Sequence, residues 1–179
     1  MKQTANSKVE RGRSSRLAGK LLAIAVLLVG GAVPCGAQGS ARGAMVAPLV
    51  DRAIPAPAAN RLRSGFETAV RQVREVPKCR ALFESLGADP QSLFPRSDFR
   101  PATSAFEDSL CRRGAAALTK VGQPVTWVCR GFAMVKSNEA AILVIHETLH
   151  FAGLRERPST PDAMSSHEIN SLVASRCGL

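Results

Sequence analysis

The stretch NEAAILVIHETLHFAGLRE, residues 138–156, decides how the chain is read. Its apolar residues Ala140, Ala141, Ile142, Leu143, Val144, Ile145 and Leu149 fall on almost every side of a helical wheel. A helix from Asn138 to about Phe151 therefore belongs in the interior. Inside that apolar run stand His146, Glu147 and His150. A buried imidazole or carboxylate without a partner is costly, so these side chains require one. Gly153 can end the helix, because glycine takes a left-handed conformation at no steric cost.

His146 and His150 are four residues apart and project from one helix face. That is the spacing at which two imidazole nitrogens grip one zinc ion. Glu147 is rotated about 100° from His146. It is placed to face a water on the metal without being a ligand, and to take that water's proton as it attacks a carbonyl. The plainer alternative is a pair of idle histidines, which the apolar helix around them disfavours. A catalytic zinc site takes a third protein ligand, and there are three candidates. Glu156 lies ten residues after His146, and a sharp turn at Gly153 returns it beneath the metal. His167 is the second, with a plain reading as a first-turn helix residue in solvent. Glu168 is the third, but Ser165-Ser166-His167-Glu168 also fits a capping box. Glu156 is the preferred ligand.

These residues carry a resemblance. His146, Glu147, His150 and Gly153 match, residue by residue, the H-E-x-x-H-x-x-G-x-x-ligand signature of the metzincin metallopeptidases. Glu156 stands where that family has His or Asp. Met164, eight residues after Glu156, resembles the methionine of the turn under the metal in the matrixin branch; its plain reading is a core gap-filler. The block Val144–Cys177 is also similar to small exported bacterial proteins regarded as metallopeptidases. The resemblance covers about twenty residues. It implies a zincin-like fold, Zn2+ on His146, His150 and Glu156, Glu147 as the base, and a peptide or protein substrate. It further implies that the strand around Val125–Arg130 lines the cleft, where an extended peptide could pair with its edge. The chain has no tyrosine, a frequent oxyanion donor in such sites; His167 is the remaining candidate. A zinc-binding module with little or no catalysis on the same scaffold is therefore the alternative.

Outward from this block, Ile169, Leu172 and Val173 form the stripe of a short terminal helix. Ala116–Lys120 and Val125–Arg130 flank Val-Gly-Gln-Pro and read as a hairpin, with Val125, Trp127 and Cys129 on one face and Thr126 and Val128 on the other. A short helix is expected at Ser104–Arg113. Residues 88–101 hold three prolines and read as loop. Pro77 breaks one helix and starts another that ends before Gly87. Leu62, Phe66, Ala69, Val70 and Val73 recur at helical spacing after Asn60, a plausible cap.

The first residues read differently. Lys2, Lys8, Arg11, Arg13, Arg16 and Lys20 precede the apolar run Leu21–Val33, which is 13 residues long. A spanning helix needs roughly 20. With small residues after Pro34, this describes a secretory signal over residues 1–37, with an uncleaved anchor as the rival reading. Residues 38–58, rich in Ala, Gly and Pro, read as a flexible linker, and 59–179 as one domain. The signal takes six of 24 basic and one of 14 acidic residues, which leaves +5 rather than +10. With no dense basic block and few aromatics, nucleic acid is not expected as a partner. Nor is a membrane, once the signal is cleaved. Cys79, Cys111, Cys129 and Cys177 remain, an even count that suggests two disulfides with three possible pairings. The fold class is then α+β: a small, mostly helical domain with a short antiparallel hairpin packed on a buried H-E-x-x-H helix, secreted or periplasmic.

Overall fold

The computed structural model describes residues 47–179. The expected signal and the first part of the linker lie outside them. In chain order the elements are β1 (Leu49–Val50), α1 (Ala56–Glu75), α2 (Pro77–Glu84), α3 (Pro90–Leu93), β2 (Asp98–Pro101), α4 (Ala105–Arg112), β3 (Ala117–Thr119), β4 (Val125–Val128), α5 (Ser137–Phe151) and α6 (Ser166–Cys177). Single 3-10 turns occupy Phe94–Arg96 and Arg130–Met134. The class is α+β, mostly helical, as expected.

α1 begins at Ala56, a turn earlier than the cap expected at Asn60. Pro57 accounts for this, since a first-turn residue needs no amide hydrogen and proline's φ is already helical. Asn60 stands exposed within the helix and accepts a hydrogen bond from Arg63. The buried stripe of α1 starts at Ala58 and Ala59 and runs through Leu62, Phe66, Ala69 and Val73. Part of the expected linker is thus built into the fold, as strand β1 and the first turn of α1.

Residues 88–101, expected as loop, carry α3, a 3-10 turn and β2. β2 is four residues, Asp-Phe-Arg-Pro, with one buried side chain, Phe99. So short a strand has no alternation to read; distant partners select it instead. The sheet order is β1-β2-β4-β3. β2 lies parallel to both β1 and β4, with Phe99 opposite Thr126. β3 and β4 form the expected antiparallel hairpin, with Leu118 opposite Trp127. This corrects one expectation. Both edges of β4 are taken by neighbours, so it cannot offer an edge to a cleft; among the described residues the free edge on that side belongs to β3.

The core lies between the sheet and the helices. Phe66 of α1 meets Phe94 at 5.5 Å and Phe99 at 6.1 Å between ring centroids, both edge to face, an arrangement that aromatic quadrupoles favour. α5 crosses α1 at very close range. A Cβ added at Gly65 would stand 2.9 Å from the backbone carbon and the Cβ of Ala140. Glycine is required there by contact, not by conformation, and it lets the two backbones approach. The four cysteines pair as Cys79–Cys177 and Cys111–Cys129. The first joins α2 to the last turn of α6 across 98 residues of chain. By loop-closure entropy a loop of that size removes about 4.5–5 kcal/mol from the unfolded ensemble.

Gly65→Ala is expected to overpack the α1–α5 crossing and destabilise the fold by about 1–3 kcal/mol. Thermal unfolding followed by circular dichroism reads this directly. An unchanged midpoint would mean that the two helices can separate at no cost.

Candidate metal centre

α5 is buried from Val144 to Phe151, and its polar residues are buried with the rest. His146 is 2% exposed, and Glu147 and His150 are 5% exposed. The helix is terminated by a Schellman motif: the Leu154 amide donates to the Leu149 carbonyl at 2.9 Å and the Gly153 amide to the His150 carbonyl at 3.0 Å. Gly153 has φ +109°, a conformation that favours glycine. This turn does two things for the histidines. It reverses the chain, so that Glu156 returns to them as the sequence suggested. It also swings the Leu154 carbonyl onto the His150 ring, where it accepts from Nδ1 at 2.8 Å. The hairpin tip is tied to the same place, with the Gly122 amide donating to the His150 carbonyl at 2.9 Å.

Three atoms converge beyond this turn. His146 Nε2 and His150 Nε2 are 2.9 Å apart. Glu156 Oε2 lies 2.9 Å from the second and 3.4 Å from the first. Their protons are committed elsewhere. The Leu154 carbonyl can only accept, so the His150 Nδ1 must donate, which leaves a lone pair on Nε2 of the neutral ring. His146 Nδ1 lies 2.7 Å from the Asn170 side-chain oxygen and is held in the same tautomer. Two imidazole lone pairs and a carboxylate oxygen therefore point at one small volume. Such a set is stable only around positive charge, either a proton on one ring or a metal ion. His146, His150 and Glu156 could hold a metal ion.

The electrostatics agree. Burial alone would lower the basicity of His150, but the hydrogen bond that its protonated ring donates to Glu156 and the charge of Glu147 raise it above the ordinary histidine range. Burial would push the Glu156 carboxyl up, but His146 and His150 beside it, once a ring takes a second proton on Nε2 and donates it, hold it far below the usual carboxylate range. Glu147 adds a second sign of an absent partner. Its Oε2 is buried and has no hydrogen-bond partner among the described residues, a costly arrangement for a carboxylate unless water or a ligand group meets it.

The rival third ligands are elsewhere. Glu168 accepts from the Ser165 hydroxyl at 2.6 Å and the Ser165 amide at 2.7 Å, and pairs with Arg157. These bonds hold its carboxyl down to about 2, and it is the capping box of α6. His167 is exposed in the first turn of α6. Met164 is half-buried against the core, and its carbonyl accepts from the Arg157 amide at 3.0 Å, which closes the loop that begins at Glu156. Asn170 is the residue that sequence reasoning missed. It sits beside buried Ile169 on α6, and its partner is 24 residues away. No short motif records a distant amide that orients a histidine.

No protein-family model, no curated protein and no solved structure matches the chain.

Competition with a chromophoric chelator should rank the variants. Glu156→Ala is expected to lose metal retention most severely. Asn170→Ala should weaken it about 10–100-fold, the usual effect of freeing a ligand histidine from its outer partner. Glu168→Ala should stay near wild type. A loss in Glu168→Ala equal to that in Glu156→Ala would overturn the assignment.

Proposed function

We propose that the chain is an exported zinc metallopeptidase, with His146, His150 and Glu156 as the zinc ligands and Glu147 as the general base. The observation that carries this reading is the arrangement around α5: three ligand atoms close together, with a buried carboxylate oxygen on the same helix lacking a partner among the described residues. Two histidines and one carboxylate form the ligand set of open catalytic zinc sites. Zinc held there would polarise a peptide carbonyl and make its water acidic near neutral pH.

The chain's own residues supply the rest. The Nδ1 bonds to Asn170 and the Leu154 carbonyl place the lone pair of each neutral ring on Nε2 and aim the two together. No donor among the described residues competes for the free oxygen of Glu147, so it can take a proton from the attacking water and return it to the departing amide nitrogen. β3 packs against α5 and leaves one edge unpaired among the described residues. An extended peptide can add to that edge through main-chain hydrogen bonds. Export is supported by the basic and apolar start of the sequence and by the two disulfides, which persist in oxidising compartments. Among the described residues no helix is long and apolar enough to cross a membrane.

A second reading, a zinc-binding module without catalysis, is favoured by the lack of any tyrosine and by the exposure of His167 away from the ligands. One experiment separates the two. Zinc-loaded wild type and Glu147→Gln are compared on casein and a peptide library, with zinc content measured in both. The substitution is expected to retain zinc and to lower kcat/KM by about 10²–10⁴-fold. Equal activity would remove Glu147 from the mechanism. Retained zinc with no cleavage by wild type would establish the second reading, and stoichiometric iron in place of zinc would redirect the chemistry to a different class.

A further inference from the structure

Beside the ligand atoms lies an open depression of about 410 Å³, lined by Val121, His150, Arg155, Glu156, Ser159 and Thr160. Its size is within the range of small-ligand pockets and can take a residue side chain. Its walls come from the hairpin tip, which the Gly122 amide ties to α5, and from the loop after Gly153, where the Thr160 amide donates to the Glu156 carbonyl at 3.1 Å. Both walls are therefore anchored to the elements that carry the ligands.

The chemistry of the lining is one-sided. Glu156 is the sole carboxylate, and its charge is engaged by the two histidines. The same lining carries two hydroxyls, Ser159 and Thr160, and one guanidinium, Arg155. Arg155 makes no ion pair or side-chain hydrogen bond with any described residue. Its neighbour Arg157, two residues on, is paired with Glu168. A guanidinium with five donors and no acceptor, sharing one depression with two hydroxyls, is suited to receive a carboxylate.

Resting on the metallopeptidase reading, we propose that this depression is the substrate's specificity site and that Arg155 selects a carboxylate next to the bond that is cut. The carboxylate comes from an acidic side chain or from the end of the peptide, and the two differ only in which bond the protein cuts.

The test uses three peptide hydroxamates on one scaffold, which bind an accessible zinc ion without turnover. One carries glutamate with an amidated C-terminus, one glutamine with an amidated C-terminus, and one glutamine with a free C-terminal carboxylate. Zinc content is measured first, then affinity by calorimetry at low and high salt. For wild type, one acidic probe is expected to bind about five- to tenfold more tightly than the amidated glutamine probe, with the advantage shrinking at high salt. Preference for the glutamate probe assigns an acidic side chain, and preference for the free terminus assigns a carboxypeptidase-like cut. Arg155→Met should retain zinc and bind all three probes alike. Equal affinities in wild type, an advantage that survives in Arg155→Met, or zinc-loaded protein that binds no hydroxamate each overturn the proposal. Wild type that does not retain zinc fails at the first measurement, and that result overturns the metallopeptidase reading itself.

Discussion

Two imidazole nitrogens and a carboxylate oxygen face one another at the end of a buried helix, with no donor among them once the Nδ1 protons are placed. Much of the surrounding structure serves this convergence. The Schellman turn at Gly153 returns the chain, so that Glu156 arrives and the Leu154 carbonyl reaches His150. The hairpin tip closes on the same helix end through Gly122. Burial raises the energy of unpaired polar atoms, and this makes the group demanding and its geometry specific.

α6 is held in a way that matches its part in the site. A capping box fixes its first turn and the Cys79–Cys177 disulfide its last. Ile169, Val173 and Cys177 bury one face. Between these anchors Asn170 reaches His146. A histidine that must present one particular nitrogen needs an outer partner that does not move. The disulfide also draws α2 into the same body, so that an element without any site residue contributes to the placement of one. Gly65 acts on α5 in a comparable way, since the close crossing with α1 seats the helix that carries both histidines.

The parts of the fold that could be read in advance are those whose signal is local. α5 shows its burial in its composition, α6 in its capping box and stripe, and the hairpin in its turn residues. β2 could not be read, because four residues with one buried side chain acquire their pairing from β1 and β4. The start of α1 was displaced by Pro57, a first-turn signal that outranked the cap expected at Asn60. The free edge expected of Val125–Arg130 belongs to β3 for a related reason: periodicity identifies a strand but not its neighbours, and β4 is interior to the sheet.

The same division holds at the site. By itself the amino-acid sequence determined the helix, the two histidines on one face, the glutamate between them, and a glycine where the chain must reverse. These are consequences of spacing along a single helix and of one residue's conformational freedom. Only the tertiary structure decided that Glu156, rather than His167 or Glu168, joins the histidines. It alone decided which cysteines pair, that β3 holds the open edge, and that Asn170 orients His146. Each of those depends on where separate elements meet, and that is set by the summed packing of the core rather than by any local pattern.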